Sequence, residues 1–348
     1  MRTKPLVVFV FLAVGLVAAS SYSWGQRNAR RPAIVAGANE VVDLQRTDAG
    51  WEGTWFWYVG DSYNATNLTG VTALGLLEAF NDTKRKPYLM SAIDAADFIM
   101  AHLGAGATGT QYAVRTTAPD IIFLHKLSEI TGDANYAARA LLEWENITIF
   151  WPDAASLDTL FRSLNRPSTW DIAFYMEAAF LSGDSDWAAG AAAILADTSD
   201  PFYYNSASGW YALNLAASLR ALVGCRYYAQ YPDAVMALLG SLLPLVDRAN
   251  GVGGYAQDTA YAILALNSVG GAARAYANSL GRWLARNANA SGGWTETDGN
   301  EYPEVDGEAV RALASTIGSN IALDGFEPGR AKSSSWRRAH ASLKVMPF

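Results

Sequence analysis

Four acids occupy positions where chemistry can happen. Asp120, Asp171, Asp258 and Asp306 each open a long apolar segment. A carboxylate there has two uses. It accepts orphan backbone N–H groups at a helix start and suits the helix dipole. Paired with a second carboxylate across a cleft, it can serve as acid, base or nucleophile at a glycosidic bond. Glu52 or Asp61, on an earlier loop, could form such a pair with Asp171, Asp258 or Asp306. The stretch 296–308 holds Glu296, Asp298, Glu301, Glu304, Asp306 and Glu308 with no basic residue among them. Asp298-Gly299-Asn300-Glu301 offers oxygen ligands of the kind calcium takes, but not the spacing of a calcium loop. A solvated acidic loop is the plainer reading.

Aromatic residues stand beside these acids. Trp55, Phe56, Trp57 and Tyr58 are consecutive in the loop 50–61, and Trp170 and Trp210 precede two further apolar segments. Aromatic walls with a few polar groups are typical of ligand clefts. The alternative is a loop that plugs the fold with its own hydrophobes. His102 and His125 fall on helices, where a satisfied or surface histidine is the ordinary case; His125, five residues after Asp120, is the better candidate for function.

Those residues must be held by helices. One kind of segment is small and apolar nearly all round, as in 69–79 and 258–266, and so must be buried on every side. The other kind, as in 86–99, has one apolar stripe and covers a core from outside. Six segments of the first kind begin near Gly70, Asp120, Asp171, Tyr211, Asp258 and Asp306, at intervals of 50, 51, 40, 47 and 48 residues. Amphipathic partners are expected near 86–103, 133–147, 185–197, 232–249 and 271–288, with a further helix at about 37–46. A period near 50 with two helices per unit is a repeat architecture. The expected fold is all-α: a single α/α toroid, an (α/α)6 barrel of six inner and about six outer helices, over residues 37–348. In a toroid the N-termini of the inner helices ring one mouth, so the four acids would face a common site.

Composition limits the function. The 348 residues are 51% hydrophobic and 17% charged, with net charge −7, too apolar for disorder and lacking the basic stripe of a nucleic-acid binder. One cysteine, Cys225, excludes an internal disulfide framework. Arg2 and Lys4 precede a 13-residue apolar run and small residues at Val17-Ala18-Ala19, the pattern of a signal peptide over 1–19. About 20 Å of helix is short for a bilayer core of about 30 Å; a retained N-terminal anchor is the second reading. Residues 20–36 read as a linker. The protein is therefore expected outside the cytoplasm. The sequons at Asn64, Asn67, Asn81, Asn146 and Asn289 are glycan acceptors there or chance matches. The basic C-terminus, Lys332 to Lys344, reads as a last outer helix or a tail on an anionic membrane surface.

Residues 251–315 resemble the squalene–hopene cyclases. Gly254-Tyr255-Ala256-Gln257-Asp258-Thr259-Ala260 with Ile263-Leu264-Ala265-Leu266 is similar to an inner helix of that family, and Gly292-Gly293-Trp294 with Asn300 to Ala309 to its motif-bearing turn and helix. Arg46 to Trp51, with Gln45, looks like a weaker copy of its Gln-Gly-Trp turn. The broader resemblance is to terpenoid-cyclase and protein-prenyltransferase toroids. It implies that Asp306 is the acid that protonates an isoprenoid double bond. Here the motif reads Glu304-Val305-Asp306-Gly307, with glutamate for the first acid and glycine for the last. A prenyltransferase zinc would need Asp, Cys and His together. Cys225 has no histidine near it in sequence, so neither metal nor cofactor is expected.

Three functions follow. The first is an exported cyclase-like toroid that binds a ligand, a small apolar molecule or a carbohydrate, or a partner in or near its central cavity. The second is a glycan-active hydrolase or lyase with paired carboxylates at the mouth. The third is a class II cyclase using Asp306. The candidate catalytic residues are Asp306, Glu304, Asp258 and Asp171; the candidate ligand-binding residues are Trp55, Trp57, Tyr58, Asp61, Trp170, Trp210 and Trp294.

Overall fold

A computed structural model describes residues 30–62, 67–102 and 117–317. The signal-peptide segment, Asn64 and the basic C-terminal residues lie outside the described residues. Thirteen α-helices are described: α1 (30–43), α2 (Thr69–Thr83), α3 (Lys86–His102), α4 (Ala118–Thr131), α5 (Ala134–Phe150), α6 (Ala154–Ser163), α7 (Thr169–Ser182), α8 (Ser185–Ala196), α9 (Tyr211–Gly224), α10 (Pro232–Leu242), α11 (Ala256–Val269), α12 (Ala273–Arg286) and α13 (Pro303–Ser315). A two-residue hairpin, β1 (Val246–Asp247) with β2 (Gly251–Val252), pairs Val246 with Val252.

The inner helices form a closed ring. α2 packs on α4, α4 on α7, α7 on α9, α9 on α11, α11 on α13, and α13 returns to α2. Outside them, α3, α5, α8, α10 and α12 each cover the inner helix before them in the chain. The fold is an α/α toroid, as the all-round apolar segments require. Their observed starts lie within three residues of those expected.

Repeated local signals make the turns. α4 ends at Gly132 and α7 at Gly183, both left-handed, with φ of 76° and 81°. The aspartate that follows each glycine caps the next outer helix: Asp133 accepts from Asn135 N–H and Asp184 from Trp187 N–H. One Gly-Asp dipeptide thus stops an inner helix and starts an outer one.

Two expectations are corrected. Residues 30–36 are not linker but the first turns of α1. Arg30 is buried and donates to Asn278 at 2.9 Å, Arg31 pairs with Asp82 at 3.3 Å, and Ile34 is fully buried. Helix α6 has no counterpart in the expected repeat; Asp153 caps it, and Leu157 and Phe161 bury its apolar stripe.

The ring closes tightly at one seam. A Cβ on Gly75 of α2 would lie 2.2 Å from the carbonyl oxygen of Gly307 in α13, and a Cβ on Gly307 would lie 2.7 Å from Thr72 Cα. The two backbones touch, so position 307 has no room for the acid that the cyclase motif carries there.

Lower in the ring, the barrel axis is closed by charge. Glu78, Lys126, Glu177, Arg220 and Arg311 are buried and stand ninth or tenth in their inner helices; α11 has Leu264 at that level. Arg220 pairs with Glu177, and Arg311 of α13 reaches within 3.9 Å of Glu177 of α7, on the opposite side of the ring. Burial opposes the Glu177 charge, but Arg220 and Arg311 prevail and hold its carboxyl below the ordinary value.

Candidate functional site

Above that charged floor, the N-terminal ends of the inner helices form the mouth. Asp171 is the third residue of α7. Ser168 accepts from its backbone N–H and so begins the helix. Glu304 is the second residue of α13, on the opposite side of the ring, where Pro303 starts the helix. Both are half-buried. Burial first, and then the nearby charge of Asp171, push the Glu304 carboxyl up to about 7. Burial also raises Asp171, against the opposing pull of Arg166, whose Nη2 lies 2.9 Å from the carboxylate. The mouth therefore holds a carboxyl poised to give a proton near neutrality and a second carboxylate beside an arginine.

Glu308 lies one turn below Glu304 on the same face of α13. Tyr261 Oη–H donates to it at 2.6 Å and Gln257 Nε2–H at 3.0 Å. Burial, then Glu304, raise its carboxyl well above the usual range. Trp170 stands edge-on to Phe174 and Tyr261, with ring centroids 5.0 and 6.1 Å away, and its buried indole N–H has no protein acceptor among the described residues.

The four opening acids separate into different roles. Only Asp171 joins Glu304. Asp120 is a structural tie: it caps α4 through Thr117 and accepts from Gly70 N–H of α2 at 2.8 Å. Asp258 lies in the first turn of α11 near Glu296, which caps that helix by accepting from Gln257 N–H at 2.8 Å; burial and Glu296 push Asp258 up to about 7. Asp306 is fully buried on the face of α13 opposite Glu304, because two residues along a helix turn the side chain by about 200°. It accepts from Trp294 N–H at 2.7 Å, and its carboxyl is raised by burial and by Glu301. It faces the 289–301 turn and α1, not the mouth.

The aromatic candidates also divide. Trp55 and Trp294 are core: their indole N–H groups donate to Val41 and Leu284 carbonyls, each at 2.8 Å. Trp294 fills the space over Gly37. Both were expected at the ligand; their buried donors are instead spent on backbone carbonyls. Trp57 and Tyr58 meet Tyr302 edge-on at 6.2 and 6.1 Å, just before Glu304. Val59 N–H donates to Glu301 O at 2.9 Å, which ties this loop to the acidic one. Asp61 is half-buried and accepts from Ser62 N–H at 2.7 Å. Trp210 stands immediately before α9, makes no side-chain capping bond, and is 43% exposed. The run from Asp298 organises its own loop: Asp298 accepts from Asn300 N–H and from Tyr302 Oη–H.

His125 is buried, 3.4 Å from Ser182 Oγ at the far end of α7, and burial lowers its pKa to about 4, so it is neutral. Cys225 is a buried free thiol at the end of α9. Arg166, Gln257, Tyr261 and Glu308 were not among the candidate site residues; Glu308 stood in a stretch read as a solvated acidic loop, but its C-terminal part is the buried helix α13. The spacing of four between Glu304 and Glu308 was the available signal; Arg166 carried none.

No family model matches the sequence, and no curated protein matches it. Among solved structures, the chain is similar to an unsaturated glucuronyl hydrolase specific for heparin, with a TM-score of 0.59 at 12% identity, over 83% of this chain and 97% of that one. It is also similar to a polysaccharide lyase, with a TM-score of 0.51 at 12% identity, over 82% of this chain and 53% of that one, or about half its length. At such identity the likeness is one of fold.

Proposed function

We propose that the protein is a glycan-active hydrolase whose reaction is carried by Glu304 and Asp171. The facing of these two carboxyls across the mouth, with Glu304 raised to about 7, is the observation that supports this reading. Protonated Glu304 donates to the departing glycosidic oxygen while Asp171, as carboxylate, serves the anomeric carbon or the attacking water; water is added across the bond. The solved structures of like fold, a hydrolase specific for heparin and a polysaccharide lyase, agree with a glycan as substrate.

Hydrolysis is favoured over elimination. The tyrosines around the mouth, Tyr261 and Tyr302, have pKa values raised rather than lowered and so are poor bases for elimination, whereas a protonated carboxyl facing a carboxylate is the pair that hydrolysis uses. The mouth carries more acid than base, and the chain has net charge −7, which favours a glycan with few acidic groups. The charged axis argues against an isoprenoid chamber, and buried Asp306 faces away from the mouth. Export, inferred from the N-terminal residues, places the enzyme outside the cytoplasm; N-terminal sequencing of the mature protein tests this.

The test of function is turnover on a panel of neutral and heparin-derived oligosaccharides, from disaccharides to hexasaccharides, read as new reducing ends. Hydrolysis of at least one class is expected, with Glu304→Gln slower by about 10²–10⁴-fold, the usual worth of a positioned general acid. Wild-type protein that cleaves no member of the panel would refute catalysis.

A further inference from the structure

The two carboxylates of the mouth sit on α7 and α13. Between them, along one arc of the rim, come α9 and α11. The residue just before α9 is Trp210 and the residue just before α11 is Tyr255. Both are exposed, at 43% and 44%. The other described tryptophans are buried or half-buried, so the exposed indole on the rim is an exception to how this chain treats its tryptophans. Tryptophan and tyrosine, each an apolar ring with a polar tip, are enriched at contact surfaces.

The backbone presents both rings. Gly209 leaves open space beside Trp210, since a Cβ there would meet nothing within 4 Å. Tyr255 follows Gly253 and Gly254, both with positive φ, 62° and 83°. Its ring lies against Gly253, where a Cβ would fall 3.2 Å from Cδ2. One edge of the tyrosine ring thus lies beside the turn, and the residue remains exposed. Its backbone is fixed by the bond from Tyr255 N–H to Val252 O at 3.1 Å. Helix α9 packs on α11, and adjacent packed helices are about 8–10 Å apart, so the two residues stand at neighbouring helix starts on the rim.

The geometry points to Trp210 and Tyr255 as a stacking platform that binds the sugar residues of a glycan chain extending beyond the bond cleaved at Glu304 and Asp171. The C–H faces of pyranose rings lie on the two aromatic faces, and the hydroxyls stay in water. This rests on the glycan reading of the mouth and deepens it: the preferred ligand is an oligosaccharide, with affinity that grows with length along the α9–α11 side.

The experiment uses the full chain carrying Glu304→Gln, so that binding is read without turnover. Disaccharides and hexasaccharides of the panel are titrated by calorimetry into this variant and into the same protein with Trp210→Ala, Trp210→Phe or Tyr255→Ala. The expected result is a hexasaccharide affinity at least 10-fold above that of the disaccharide. That gain should shrink about 10-fold with Trp210→Ala or Tyr255→Ala and return with Trp210→Phe. An equal gain in the alanine variants, or no binding by any oligosaccharide, overturns the platform. Turnover by the wild type decides the catalytic reading separately. Trp210-dependent binding without hydrolysis leaves the platform standing and removes the enzyme; hydrolysis with a Trp210-independent length gain does the reverse.

Discussion

Replacing Gly307 with alanine tests the seam that closes the ring. The new Cβ would stand 2.7 Å from both the Cα and the carbonyl oxygen of Thr72, which are backbone atoms of α2. Ordinary carbon contacts lie at about 3.5–4.0 Å, so α13 must retreat by roughly 1 Å, because no side chain can turn aside. Helix propensity favours alanine by about 1 kcal/mol. Overpacking of this kind costs about 1–3 kcal/mol and occasionally more; against two rigid helices we place it at the upper end. The net expectation is a loss of about 1–2 kcal/mol, with Tm lower by roughly 1–3 °C for a chain of this size. Gly240 of α10 is the control, since a Cβ there meets nothing within 4 Å; Gly240→Ala should gain up to about 1 kcal/mol. Calorimetry and urea unfolding at one pH measure both. Because Glu304 and Glu308 ride on α13, turnover should fall further in Gly307→Ala than its stability does. A Gly307 variant stabilised as much as the Gly240 variant would show that the seam is not tight and that the reasoning is wrong.

Other consequences are open to measurement. Glu177→Ala leaves Arg220 and Arg311 buried without their shared acid and should cost about 3–5 kcal/mol in urea unfolding; a loss below 1 kcal/mol would mean that the axis is wetter than its burial implies. Trp294→Ala opens a cavity over Gly37 and removes the donor to Leu284, for an expected loss of about 3–5 kcal/mol by the same method. Glu304 is raised from 4.5, and Asp258 from 3.8, to about 7. Their neutral forms are favoured in the folded chain. Stability from these groups is whole below the unfolded values near 4 and is lost as pH rises through about 7. Thermal melts should show a higher Tm at pH 5 than at pH 8, relative to Glu304→Gln and Asp258→Asn. The same ionisation of Glu304 should make kcat/KM fall above about pH 7, and a rate that keeps rising to pH 9 would exclude it as general acid.

The helix repeat was legible because burial on all sides demands a composition that no surface helix tolerates, and because two of its turns reuse the same glycine-aspartate cap. Six inner helices could therefore be read from 69–79, 258–266 and their like. The site was only half legible. Helix starts with acids all look alike in sequence, yet Asp120 ties two helices, Asp306 faces a turn and Asp171 faces the mouth. The difference is the rotation of each helix about its own axis, which is set by neighbours about fifty residues away. Trp55 and Trp294 illustrate the same limit, since an indole beside a turn motif serves a mouth or a core according to which carbonyl its N–H reaches.

By itself, then, the sequence determined the ring: its period, its apolar inner wall and its caps follow from local propensity and from the need to bury apolar surface. Only the tertiary structure decided what the ring encloses. It closed the axis with Glu177, Arg220 and Arg311, brought α13 against α2 so that residue 307 must be glycine, and set Glu304 opposite Asp171. These outcomes depend on distances between helices far apart in the chain, and no local pattern of residue types records such distances.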